Sequence, residues 1–338
     1  MEERQQKLLK YIKDIKLRDS ITPDHFLELR QKHEAGLSPK AKLIAFDRSF
    51  DVWQRFDKDE NLSKKDFVHL ESVILQDGLR PAYDIQDDSY ENMPPVWQLL
   101  NDRRSAIKPL IRGIGRLDLV GHPIKRNVGT GFICGERILM TNRHVADEFV
   151  SCPGDGSALI FNPGITANLD LKQEVNNLNT QILKIASPIT ILENWDIAIF
   201  EFQQLPNSIP PLSLAIAPPK ELDTGMAVVV GYPLLDPESN LLQQLQIFRS
   251  VFAKKRLMPG RLKGLITTTS YGRTVEALGH DCTTLGGNSG SAVIDVKLGA
   301  VVGVHFAGQY LVSNYAVPTW ELANDPQIKN RGLNFVKN

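Results

Sequence analysis

Ser289 stands inside Leu285-Gly286-Gly287-Asn288-Ser289-Gly290-Ser291, a glycine-dense turn ahead of the apolar run Ala292 to Val296. Glycines admit backbone dihedrals closed to other residues and let another molecule approach the main chain. Such a turn can expose one hydroxyl and aim the N–H groups of Gly287 and Ser289 at a developing oxyanion. A serine hydroxyl is a weak nucleophile at neutral pH and needs a base to take its proton as it attacks. A histidine follows an apolar run in Ile138-Leu139-Met140-Thr141-Asn142-Arg143-His144-Val145-Ala146, and a carboxylate opens another at Trp195-Asp196-Ile197-Ala198-Ile199-Phe200. Taken singly, His144 is a polar residue after a strand and Asp196 a turn former. Together the three point to acyl transfer, with Ser289 as nucleophile, His144 as general base and Asp196 fixing the imidazole tautomer.

These side chains must be brought together by folding, since 52 residues separate His144 from Asp196 and 93 separate Asp196 from Ser289. The order His, Asp, Ser and the motifs TNRHVA, WDIAIF and GGNSGSAV resemble the trypsin-like (chymotrypsin-fold) serine peptidases over about residues 110–322. The resemblance implies two antiparallel β-barrels, at about 110–205 with His144 and Asp196 and at about 212–322 with Ser289, and an active site in the cleft between them. It also implies a protein or peptide substrate and no cofactor.

The resemblance extends to a pocket. Glutamyl endopeptidases of this fold place a threonine five residues before the nucleophile and a histidine on a later strand; Thr284 and His305 match. A hydroxyl donor and a protonatable imidazole there would receive an acidic side chain, giving cleavage after Glu or Asp. Thr283 stands where relatives of basic specificity carry Asp, which argues against cleavage after Lys or Arg. Asn288 replaces the Asp that pairs with a newly cut N-terminus in zymogen-activated relatives, so that route of activation is not expected. Cys134 and Cys152 flank His144 as a disulfide does in many secreted relatives, but at different separations; with Cys282 they are expected to be free thiols.

Short apolar runs between turn residues from Gly113 onward, among them 131–134, 197–202, 227–231, 265–269, 292–296 and 301–306, fit the all-β reading. The first hundred residues differ: they hold 16 Lys+Arg and 19 Asp+Glu but only Gly36 and Gly78 of the 24 glycines. Apolar residues at helical spacing over 5–17, a start at Thr22-Pro23, and stretches 40–56 and 63–75 describe a small helical domain, residues 1–80. The Pro- and Asp-bearing stretch 81–109 reads as a linker to the domain at 110–338. Asp57 to Asn61 opens like a calcium loop, but Leu62 and Val68 stand where Gly and a bidentate Glu are needed.

The net charge of zero gives no case for nucleic acid. No run reaches the roughly 18 apolar residues of a membrane span, the opening Met1 to Gln6 lacks a signal-peptide core, and no His/Cys cluster suggests a metal. The expectation is a cytoplasmic enzyme whose residues 1–80 bind a regulatory or targeting partner. Two other readings remain: a peptidase fold that binds without cleaving, and an esterase, although the HGGG and GxSxG signals of α/β-hydrolases are absent.

Overall fold

The computed structural model describes residues 81–338 apart from 152–157, 193, 236–240, 310–312 and 338; before residue 81 it describes Arg55 and Lys58. The expected N-terminal helices and the acidic loop at 57–61 otherwise lie outside the described residues. The chain divides into two compact units, Met1–Pro81 with Glu238–Ser250 and Ala82–Pro237 with Val251–Asn338.

The second unit opens with β1 (Tyr83–Asp84), α1 (Gln98–Asp102) and α2 (Arg104–Arg112). The stretch 81–109, read from the sequence as a linker, holds these elements, and part of it packs into the main core. Ile85, Trp97, Leu100 and Ile107 are buried in the main core, β1 pairs with residues 256–257, and Asp84 forms an ion pair with Arg256. Apolar spacing, rather than the Pro and Asp content, decides the outcome. A buried polar knot fastens the segment further. Glu174, fully buried, accepts the main-chain N–H groups of Asp87 at 2.7 Å and Asp88 at 3.1 Å. Lys255, also fully buried, donates to the carbonyls of Leu171 (2.7 Å) and Ile111 (3.1 Å); burial pulls its pKa down to about 8, opposed by Asp88 and Glu174.

Next come β2 (Ile114–Val120), β3 (Asn127–Gly135), β4 (Ile138–Thr141), the single turn α3 (Arg143–Ala146), the paired β5 (Val150–Ser151) and β6 (Ile160–Phe161), β7 (Thr166–Asp170), β8 (Ile182–Ile191) and β9 (Ala198–Phe202). Strands β2-β3-β4-β9-β8-β7 close a barrel. Alternation in β8 turns Leu183 and Ile185 inward while Ile182 and Lys184 face out. Leu117, Ile133, Leu169, Phe200 and Phe202 fill the interior, and Phe149 stacks on Phe200 at 5.3 Å.

After β10 (Leu214–Ala215) and β11 (Met226–Gly231), the helix α4 (Leu241–Phe248) belongs to the first unit. The chain continues as β12 (Arg256–Ser270), β13 (Arg273–His280), β14 (Ala292–Asp295), β15 (Ala300–Gln309), β16 (Ser313–Pro318), α5 (Thr319–Asn324) and β17 (Phe335–Val336). Pairings β14–β11, β11–β12, β12–β13, β13–β16, β16–β15 and β15–β14 run round a ring of six strands, a second β-cylinder. The β12–β13 hairpin turns at Tyr271 and Gly272, both at positive φ (46° and 75°), as a two-residue hairpin turn requires. Cys134 and Cys282 are buried free thiols; Cys152 is not among the described residues. No described helix is long and apolar enough to cross a membrane.

Candidate active site

His144 sits in α3, directly after β4, and Asp196 lies two residues before β9, the strand paired with β4. Adjacent strands of one barrel thus bring the two residues together. His144 Nδ1 is 2.6 Å from Asp196 Oδ2, and Asp196 Oδ1 accepts the His144 main-chain N–H at 3.0 Å. The Asp196 side chain is 5% exposed and that of His144 41% exposed. Asn142 Nδ2 donates to the Asp196 carbonyl at 2.8 Å, holding the loop from its other end. A carboxylate facing Nδ1 fixes the proton there, leaving Nε2 with a free lone pair to accept one.

Ser289, half-buried, lies in the turn between β13 and β14 and therefore belongs to the other barrel. Thr130 of β3, fully buried, clasps this turn across the cleft: its N–H donates to Ser289 O at 2.9 Å and its hydroxyl to Gly287 O at 2.7 Å. The same hydroxyl accepts the N–H of Tyr232 at 3.2 Å. Contact is close enough that a Cβ on Gly129 would stand 2.9 Å from Val145, the neighbour of His144, and 3.0 Å from Ser289 O. At Gly290, φ is +86° and a Cβ would meet Thr130 O at 2.1 Å, so glycine is required.

The remaining carbonyls of the turn are tied as well. Leu234 N–H donates to Gly286 O at 2.7 Å, and Ser291 N–H to Asn288 O at 2.9 Å. In a trans peptide the C=O and the following N–H point in opposite directions, so these bonds orient the N–H groups of Gly287 and Ser289. Those two amides have no acceptor among the described residues, whereas Asn288 N–H and Gly290 N–H are bonded to Leu285 O and His305 O. The arrangement is two alternate, pre-aimed, unoccupied donors beside one hydroxyl, which suits stabilisation of an oxyanion.

His305, on β15, is 4% exposed, and burial first, with the nearby His280 and His144, holds its pKa well below the ordinary histidine value. His280 of β13, fully buried, is likewise pushed down to about 3 by burial; its Nε2 lies 3.2 Å from His305 Nδ1. Burial therefore favours a neutral His305 in the free protein; in the tautomer in which His280 Nε2–H donates to its Nδ1, His305 presents an Nε2–H donor. Thr284 Oγ1 lies 3.0 Å from Asn314 Oδ1, and Asn314 Nδ2 donates to Cys282 O. Because Cys282 O only accepts, the amide must turn its nitrogen to it, so Thr284 donates to Asn314 and not into open space. Thr130, His280 and Asn314 escaped the sequence reading, since no spacing signal ties a residue on β3, β13 or β16 to this cleft.

Asn288 is fully buried and its side-chain oxygen and nitrogen, like Ser291 Oγ, have no partner among the described residues. A Cβ on Gly231 would lie 2.5 Å from Asn288 Oδ1 and 2.1 Å from Ser291 Oγ, so the glycine leaves the room these groups share. No carboxylate stands there to receive an ammonium.

A protein from Lysobacter enzymogenes named as a probable serine protease is 26% identical over 293 residues, covering 77% of this chain and 74% of that protein. Among solved structures, the active form of the Rv3671c protease from M. tuberculosis is 21% identical over 69% of this chain and 86% of its own, with a TM-score of 0.45. Deg5 is 16% identical over 73% of this chain and 100% of its own, with a TM-score of 0.48. The family model of the trypsin-like peptidase domain matches residues 129–304, from β3 through the Ser289 turn into β15. The chain belongs to the trypsin-like peptidase family and is a serine peptidase, a hydrolase.

Proposed function

We propose that this peptidase is an endopeptidase acting through Ser289, His144 and Asp196, with the N–H groups of Gly287 and Ser289 as its oxyanion hole, and that it cuts after Glu or Asp. The carrying observation is the His144 Nδ1 to Asp196 Oδ2 contact of 2.6 Å at a carboxylate shielded from water. Ser289 Oγ attacks the substrate carbonyl and gives its proton to His144 Nε2; Asp196 stabilises the imidazolium. The carbonyl oxygen, now negative, is held by the two amides. His144 then returns the proton to the departing amine, and a water repeats the sequence on the acyl-enzyme to free Ser289.

The substrate has a ready strand partner. β14 stops pairing with β15 at Val304, so the edge from Phe306 to Gly308 runs on without a described strand beside it, and an extended peptide can add there. Thr284, the His305–His280 pair and Asn314 supply the polar groups of the proposed site for the acidic side chain, where Nε2–H of a neutral His305 would donate to a carboxylate. A bound carboxylate would in turn favour protonation of His305. Thr284 would have to exchange Asn314 for the ligand.

The charged N-terminal segment, residues 1–80, is assigned to binding a protein partner that targets or regulates the peptidase, in the cytoplasm. Its support is the composition break and the absence of catalytic motifs there. The test is digestion of a diverse peptide library by wild type and Ser289→Ala, with cut sites read by mass spectrometry. Serine-dependent cuts after Glu or Asp are expected; serine-dependent cuts after other residues would remove the acidic preference, and no cuts at all would favour a binding role or a partner-dependent enzyme.

A further inference from the structure

Arg143 precedes His144 and carries an unneutralised charge at the mouth of the cleft. Its Nε is buried without a partner, and no carboxylate of the described residues lies in ion-pair range of its guanidinium. Among the described residues its guanidinium stacks on Tyr271, whose ring lies 4.2 Å from the guanidinium carbon. The nearby acids are otherwise engaged. Both Asp196 oxygens are held by His144, and the exposed Asp147 receives the Tyr271 hydroxyl at 3.4 Å. Arg273, at the same hairpin turn, is spent on Asn194.

Tyr271 reaches Arg143 from the tip of the β12–β13 hairpin, which therefore crosses from the second cylinder to the residue next to the general base. A guanidinium stacked on an aromatic face keeps its planar N–H edges free and pre-oriented, the geometry that grips a carboxylate. Side chains of an extended peptide alternate in direction. If the cleaved residue turns into the Thr284–His305 pocket of the second cylinder, the residue before it turns the other way, toward α3 of the first barrel.

We propose that Arg143, braced by Tyr271, is a specificity determinant that binds an acidic side chain on the substrate residue immediately preceding the cleaved one. The inference rests on the proposed pocket for its register, and it makes the preferred substrate an acidic tract of sequence rather than a single acidic residue.

The test uses the full chain and peptides that differ only at that preceding residue, Glu, Gln or Lys, with the cleaved residue held constant. Wild type is expected to favour Glu over Gln by about five- to twentyfold in kcat/KM, with Lys poorest and the preference shrinking in high salt. Arg143→Gln should bring the Glu/Gln ratio near one, Arg143→Lys should keep part of it, and Tyr271→Leu should lower it. The ratio within each variant is the readout, so a general loss of activity does not obscure it. Where turnover is too slow, the same ratios are read as Kd by fluorescence anisotropy on Ser289→Ala. A wild-type ratio near one, or one unchanged in Arg143→Gln, overturns the proposal. A separate series varying the cleaved residue tests the pocket, so the two failures are distinguishable.

Discussion

Asp196 holds His144 at two points, with Oδ2 on the ring Nδ1 at 2.6 Å and Oδ1 on the main-chain N–H at 3.0 Å. One carboxylate thereby fixes both the position of the histidine backbone and the tautomer of its ring. Asp196→Asn can preserve the main-chain bond while placing an NH2 against Nδ1, which drives the proton to Nε2. Near-normal folding with a loss of about 10⁴ in kcat is expected, by stopped assays alongside thermal melts.

Thr130 likewise holds the Ser289 turn at two points, its N–H on Ser289 O and its hydroxyl on Gly287 O. Thr130→Val removes the hydroxyl that ties Gly287 O and receives Tyr232 N–H, at nearly constant volume. The turn that carries the proposed oxyanion amides loses one of its ties, so kcat is expected to fall by roughly 10- to 100-fold with KM little changed, and Thr130→Ser to recover most of it. Equal losses in valine and serine variants would show that the methyl, not the hydroxyl, matters.

The buried His280–His305 pair sets a pH dependence of stability. Folding lowers both pKa values from the usual 6.5, His280 to about 3. The unfolded chain then binds more protons than the folded one as pH drops, and stability rises with pH through that window. Unfolding free energies from urea titrations are expected to fall from about pH 6.5 toward pH 3, by up to about 1.4 kcal/mol per pH unit for each histidine. His280→Gln should flatten the slope.

Asn288→Asp is expected to fail where zymogen-activated relatives carry the acid, because it buries a charge at a side chain that no described residue hydrogen-bonds. Destabilisation of about 3 kcal/mol or more is the expected result, with lost labelling of Ser289 by a fluorophosphonate. Full stability together with labelling would point to a cation that enters the site.

Truncation removes residues 1–80, although α4 of the first unit stays in the shortened chain. A chain beginning at Pro81 keeps β1, Trp97 and the Asp88–Glu174 contacts and should fold and retain cleavage; one beginning at Ile107 loses Trp97 and Leu100 from the core and should be unstable. Activity of the chain from Pro81, measured with and without candidate partners, also tests the regulatory role given to residues 1–80.

Sequence alone determined what is local and chemical. The apolar runs around His144, Asp196 and Ser289 announce strands because their side chains must be buried, and the glycines of the nucleophile turn announce unusual backbone because nothing else fits. The family and the reaction class follow from three short motifs. Tertiary structure decided what depends on residues far apart in the chain. Prolines at 94 and 95 read as a linker, yet Trp97 and Ile107 bury the segment. His305 reads as a protonatable group, yet burial beside His280 keeps it neutral. Thr284 reads as a free donor, yet Asn314 takes its proton. Thr130 carries no signal at all, because its role arises only where β3 of one barrel meets the turn of the other. Burial and hydrogen-bond partnership are properties of the closed fold, and no one-dimensional spacing encodes them.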